Sequence, residues 1–263
     1  MDLTYIGHAT LLLQLGEATF LTDPNFDDAL GRFAIGERLR RVAPPGIALA
    51  ALPRLDGVLV THAHLDHLSL ASLAAIPREV PVVAPPSVAR WLVGRGFAQV
   101  RALAPGGTVE LAGVAVHAEA ATHVGSRYGV DRWRAETNMY LLESGAGSVF
   151  FAGDTGLTAD THTLADRVCH AAGRPLDVAL LPIGHAPWWK LRSFRAGHLT
   201  YADALDLFER LRARWMVPYH WGTFNHLSAG AHDAIDRLRA LLPTHARREQ
   251  VRILEPGERW TVN

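Results

Sequence analysis

Thr61-His62-Ala63-His64-Leu65-Asp66-His67 decides how this chain reads. Three imidazoles and a carboxylate follow directly on the apolar run Gly57-Val58-Leu59-Val60. That run has the character of a buried strand, which puts the motif in the loop leaving its carboxyl end. In extended backbone, side chains two apart point the same way, so His62 and His64 can grip one cation together. A helical turn after them would swing Asp66 and His67 toward a second cation. Two-metal hydrolysis needs this division of ligands. The bland alternative is a histidine-rich surface loop. Even with 14 His in 263 residues, the spacing favours a metal site.

Other strand ends offer matching donors. Gly113 to Glu119 reads as a strand, and His123 follows it in Ala121-Thr122-His123-Val124-Gly125. Phe150-Phe151-Ala152 runs into Gly153-Asp154, where a carboxylate with two oxygens could bridge two cations. Val217-Pro218-Tyr219 runs into His220. Each of these alone reads more readily as a hydrogen-bonded core or turn residue. Beside the motif, they read as ligands.

Composition narrows the class. The chain has 263 residues, 49% hydrophobic and 20% charged, which suits one large domain spanning 1–263 with a substantial core. Lys+Arg and Asp+Glu both number 26. Without a basic excess there is no counterion-release drive toward nucleic acid as the main substrate. The lone Cys169 excludes an intrachain disulfide and a thiolate cluster, and is expected to be buried in a helix. Met1-Asp2-Leu3-Thr4-Tyr5 has no basic region leading into an apolar stretch, and no apolar run reaches membrane-spanning length. A cytoplasmic protein is expected, with homo-oligomerisation left open.

Along the chain, short β-like runs (Leu3 to Ile6, Leu11 to Leu15, Ala18 to Thr22) precede a loop-rich stretch from Asp27 to Pro53. Helices are expected over Leu70 to Ala75 and Ser87 to Gly94, around a strand at Val80 to Ala84. Two hairpin-like pairs follow, ending at Ala152. The final third reads as helix Asp160 to Ala172, strand Val178 to Leu181, helix Tyr201 to Arg212, strand Trp215 to Val217, helix Ala229 to Leu242 and strand Val251 to Leu254. The pattern is α+β, two packed sheets flanked by helices.

The order His-x-His-x-Asp-His, His, Gly-Asp, His from Ile6 to Trp221 resembles the metallo-β-lactamase superfamily, a four-layered αββα sandwich of binuclear hydrolases. That resemblance implies two divalent cations, Zn²⁺ first and Mn²⁺ next. His62, His64 and His123 would hold one, Asp66, His67 and His220 the other, and Asp154 would bridge them. Asp23, in Leu21-Thr22-Asp23-Pro24, would support the metal loop from behind, or simply turn the chain before proline. Ile6-Gly7-His8-Ala9-Thr10, Leu181-Pro182-Ile183-Gly184 and His220-Trp221-Gly222-Thr223-Phe224 are similar to the N-acylphosphatidylethanolamine-hydrolysing phospholipase D group and the L-ascorbate-6-phosphate lactonases. His185-Ala186-Pro187-Trp188-Trp189 departs from that pattern, so substrate identity does not carry over.

The expected chemistry is attack by a hydroxide shared between the cations on a phosphodiester, or alternatively on a lactone or other ester. Asp66 and His198 are the catalytic candidates. His198 would protonate the leaving group, or merely pack beside the helix capped by Thr200. His8 either orients a ligand from beneath or ends the first strand. His185, Trp188, Trp189 and Arg127 are candidates for the substrate cleft, a small or lipid-like ester being the partner; Arg127 suits an anion, or a solvated loop face. A di-iron redox protein and a non-catalytic binding protein on the same fold are the other classes.

Overall fold

Alternation of buried side chains explains the layers. The computed structural model describes residues 1–30, 39–127, 131–184, 196–225 and 230–262. Among the described residues the first sheet has seven strands in the order β15-β1-β2-β3-β6-β7-β8. These are β1 Asp2–Gly7, β2 Thr10–Leu15, β3 Ala18–Thr22, β6 Gly57–Leu59, β7 Val82–Ala84, β8 Val100–Ala102 and β15 Arg259–Thr261. Leu3, Tyr5, Leu11, Leu13, Phe20, Leu59 and Val83 join one core cluster. Ile6, Leu21, Val58 and Val82, at alternate positions, join another. Successive strand residues face opposite ways, so one set fills the space between the sheets. The other set packs under helices α1 (Leu70–Ala75) and α2 (Pro86–Val93), which supply Leu73, Val88 and Leu92.

The second sheet runs β14-β13-β12-β11-β10-β9, comprising β9 Thr108–Leu111, β10 Val114–Ala120, β11 Asn138–Ser144, β12 Gly147–Phe151, β13 Val178–Pro182 and β14 Trp215–Tyr219. Its outer face carries α3 (Thr163–Val168), α4 (Tyr201–Leu211) and α5 (Asp233–Leu241). Their Leu164, Phe208 and Ile235 are fully buried in the main core. Thr200 closes a capping box with Asp203 at the start of α4. The result is the α+β sandwich expected, with helices outside two mixed sheets.

Strand direction sets where the chemistry falls. β1 is antiparallel to β2 and β2 to β3, while β3 and β6 are parallel. β1, β3 and β6 therefore all end at the same edge. β10 and β12 are both antiparallel to β11, and β12, β13 and β14 are parallel. His8, Asp23, the His62–His67 loop, His123, Asp154 and His220 each follow one of these carboxyl ends.

Several elements differ from expectation, among them the strand Val100–Ala102, which was not expected, and the last helix, which runs over Asp233–Leu241. Asp160 to Ala172 is helical only over Thr163–Val168, followed by a 3₁₀ turn at His170–Ala172. Cys169 caps the break rather than sitting mid-helix, and it is buried. Val251 to Leu254 is no strand; Val251 makes one isolated bridge to Met216, and Leu254 is apolar because it is buried. The final strand is Arg259–Thr261, paired with β1. The loop-rich stretch contains a short pair, β4 Ala29–Leu30 with β5 Leu39–Arg40.

Candidate metal centre

The loop after β6 does not enter a helix at once. His67 and Leu68 donate their N–H groups to the His64 carbonyl at 3.2 and 2.9 Å, closing one isolated turn before α1. That turn separates the donors into two groups. His62, His64, His123 and Asp154 have ligand-type atoms within 4.8 Å of one another, and so do His8, Asp66, His67 and His220. Within the first, His123 Nε2 stands 3.2 Å from His64 Nδ1. Within the second, His220 Nε2 stands 3.2 Å from His67 Nε2 and 3.5 Å from Asp66 Oδ2. Asp154 reaches across: its Oδ2 is 3.4 Å from His67 Nε2 and its Oδ1 is 3.6 Å from His220 Nε2.

Hydrogen bonds behind the rings decide which nitrogens carry lone pairs. Asp23, fully buried, accepts from Thr61 N at 2.7 Å, from the Thr61 hydroxyl at 2.6 Å and from His67 Nδ1 at 2.8 Å. His67 in its neutral form is thereby left with a bare Nε2. The Thr61 hydroxyl spends its proton on Asp23, so it must accept from His62 Nδ1, 2.9 Å away. His62 Nε2 is then a bare acceptor, and it is buried without a hydrogen-bond partner. His123 Nδ1 donates to the Gly197 carbonyl at 2.8 Å, which bares its Nε2 as well. A buried, unpartnered lone pair such as that of His62 Nε2 is costly without a cation beside it. The donor set fits metal binding. The proximity of Asp23 to His62 and His67 is accounted for by these supporting bonds.

Electrostatics agree with that fit. Burial pushes His62 well below the ordinary imidazole range, and His123 and His8 down to about 3. Burial opposes ionisation of Asp154, but the His220 and His67 charges outweigh it and hold the carboxyl well below its usual range. His67 shows the converse: burial pulls it down, yet Asp154 and Asp66 raise it well above 6.5. The carboxylates thus draw positive charge into the cluster. Burial raises Asp23, against the hydrogen bonds from His67 and Thr61.

The backbone is bent to reach this geometry. His8, Asp23 and His220 have φ of 54°, 33° and 71°, three of the five non-glycine residues with positive φ among those described. Such conformations cost on the order of 1–3 kcal/mol each and persist only where neighbours impose them. Here the Leu59 carbonyl holds the Asp23 N–H at 2.8 Å, and the His8 carbonyl holds the His220 N–H at 2.9 Å. Gly153 is required before Asp154, since its φ is +58° and a Cβ would meet Thr61 at 2.7 Å.

His8 Nε2 lies 3.0 Å from Asp66 Oδ2, its ring 3.8 Å from that of His220. His198 stands at the rim, its Nε2 3.7 Å from Asp154 Oδ2 and its ring edge-on to His123 at 4.7 Å. Arg127, a candidate for substrate, donates from Nη1 to the Ala63 and Leu68 carbonyls at 3.1 and 2.8 Å and so braces the metal loop. His185, Trp188 and Trp189 lie outside the described residues. Two supports escaped the sequence reading. Thr61 relays Asp23 to His62, and Asn25 Nδ2 donates to the Leu65 and Asp66 carbonyls at 2.8 and 3.1 Å. Asn25 sits two residues past Asp23, the one signal that could have drawn notice. A depression of about 540 Å³ lined by Leu49, Leu55 and Val80 contains none of the clustered donors.

Residues 18–221 match the family described as a beta-lactamase superfamily domain. A UPF0173 metal-dependent hydrolase of Pyrobaculum islandicum is 27% identical over 261 residues, covering 98% of this chain and 98% of that protein. N-acyl-phosphatidylethanolamine-hydrolyzing phospholipase D 1 of Caenorhabditis elegans is 27% identical over 235 residues, covering 84% of this chain and 64% of that one. Among solved structures, Igni18, a metallo hydrolase from Ignicoccus hospitalis, superposes with a TM-score of 0.71 at 24% identity, over 98% of this chain and 97% of the other.

Proposed function

This chain belongs to the β-lactamase superfamily as a metal-dependent hydrolase, and on that premise we propose that it binds two divalent cations and cleaves a phosphodiester. The observation that carries the reading is the placement of Asp154, which clusters with His62, His64 and His123 while its two oxygens lie 3.4 and 3.6 Å from His67 and His220 of the other group. One carboxylate shared in this way is what a closely spaced cation pair requires. His62, His64 and His123 hold one cation and Asp66, His67 and His220 the other, Zn²⁺ or Mn²⁺ suiting the mixed nitrogen and oxygen donors. When bound, such a pair supplies a water-derived nucleophile at neutral pH and polarises the scissile group.

The protein's own groups do the rest. Asp23 and Thr61 fix the rings of His67 and His62. His8 donates to Asp66 and holds its carboxylate toward the second group. His198, 18% exposed at its side chain, faces the open side and delivers a proton to the departing oxygen. The likeness to the nematode phospholipase D supports a phosphodiester over other esters.

The test combines metal analysis of protein purified without added metal with turnover of bis-p-nitrophenyl phosphate and a lactone panel. Close to two ions per chain with diesterase turnover is the expected result. Lactone turnover alone would move the reaction to carboxylic esters at the same site. Asp66→Asn should abolish turnover and leave the circular dichroism spectrum intact; full activity in that variant would refute the assignment.

A further inference from the structure

The second donor group opens onto an apolar annex. A cavity of about 80 Å³ lies beside His8, Asp66 and His220, and its other walls include Leu30, Leu39, Trp221, Phe224, Ala231 and Ala234. These walls are built in. Residues 41 and 224 share a backbone bridge, and the Arg41 guanidinium lies over the Phe224 ring at 4.9 Å. Arg41 Nε and Nη2 donate to the carbonyls of Asp27 and Asn25 at 3.0 and 2.8 Å, which anchors it behind the ring. Asn225, the other polar side chain among the described lining residues, accepts from Ala231 N at 3.2 Å.

The geometry points to this annex as the seat of a short, uncharged alkyl substituent of the substrate, about three or four carbons long and attached next to the scissile bond. The inference rests on the hydrolytic reading above and deepens it. A charged group placed there would lose its water and meet hydrocarbon. The volume is about half that of the roughly 150 Å³ dry cavity that admits benzene, so a propyl or butyl chain fills it and a longer chain runs out of its open side. Phe224 and Ala234 set the depth. Burying one methylene contributes about fourfold to binding.

Zinc-loaded protein assayed with methyl through hexyl p-nitrophenyl phosphates tests this directly. We expect kcat/KM to rise about fourfold per methylene to propyl or butyl and to level or fall by hexyl. Ala234→Leu should bring the propyl-to-methyl ratio from about 15 down to near one, while Phe224→Ala should move the optimum to longer chains. Inhibition constants of alkylphosphonates on the unaltered protein repeat the series without any substitution. A flat chain-length profile, or one that neither variant moves, would overturn the inference. If metal-replete protein turns over no member of the series, the phosphodiester reading fails instead. The same ladder built on γ-alkyl lactones then decides the annex.

Discussion

Replacing Asp23 by Asn changes one atom and should disturb both donor groups. The carboxylate receives three donors and is fully buried. With Asn, the amide oxygen can stay on the Thr61 N–H. The NH₂ then faces the Thr61 hydroxyl and His67 Nδ1. Its two protons turn both partners into acceptors, so the Thr61 hydroxyl donates to His62 Nδ1, and His62 and His67 each carry their proton on Nε2. Both lone pairs meant for cations vanish together. The alternative amide orientation keeps the original tautomers but leaves the buried Thr61 N–H facing an NH₂, at about 1–3 kcal/mol. Binding metal forces the second arrangement, so affinity should fall about five- to 150-fold. Zinc competition against a chromophoric chelator measures the loss. Long-range ¹H–¹⁵N spectra of the metal-free protein report the tautomers. Wild-type affinity with an unchanged tautomer at His62 would refute the relay.

Gly153→Ala forces a Cβ to within 2.7 Å of Thr61 at a φ of +58°, and strain plus overpacking of about 2–6 kcal/mol should lower Tm by at least roughly 5 °C. Gly145→Ala, whose Cβ meets nothing within 4 Å, should leave Tm nearly unchanged; equal melting of the two variants would contradict the packing. In metal-free protein, His62, His8 and His123 are depressed by burial, so the unfolded chain binds their protons more readily. Their stabilisation is complete above about pH 6.5 and is lost as pH falls, toward about 3 for His8 and His123. Asp66 and Asp154, also depressed, act the same way below the ordinary carboxylate range. His67, raised, opposes them, its stabilisation being lost as pH rises through its folded value. The urea midpoint should therefore drop between pH 7 and pH 4; a rise would show that His67 dominates. Arg127→Met removes hydrogen bonds from a charged donor to two loop carbonyls, so Tm should fall about 2–8 °C with KM unchanged. A raised KM at unchanged Tm would make Arg127 an anion ligand instead.

Most of the donors were legible because they follow strands of strong apolar character, whereas His123 follows the alternating strand Val114–Ala120. Phe150-Phe151 announces Asp154, and Val217 to Tyr219 announces His220. Such strands are buried on both faces and read as continuous runs. Edges carry no such signal. Arg259–Thr261 has an exposed-intermediate-exposed pattern, and Val100–Ala102 is also largely exposed, so neither resembles a strand until its partner is known. Leu254 gave the opposite error, its burial imitating a strand. Thr61 and Asn25 act through hydrogen bonds to atoms far along the chain, and their residue types are too common to stand out. Arg127 is ambiguous for a related reason: its guanidinium holds two carbonyls, and such a group serves carbonyls as readily as anions.

The bond from His220 N–H to the His8 carbonyl joins the end of β14 to the end of β1, and so one sheet to the other. The cations would span the same gap, since His62, Asp66 and His67 hang from the first sheet and His123, Asp154 and His220 from the second. Metal then works as a fastener as much as a reagent: sliding one sheet against the other would pull donors off the cations. Thermal stability should rise with the logarithm of free metal concentration once that exceeds the dissociation constant. A melting curve recorded through a chelator titration would weigh the site without any substrate in hand.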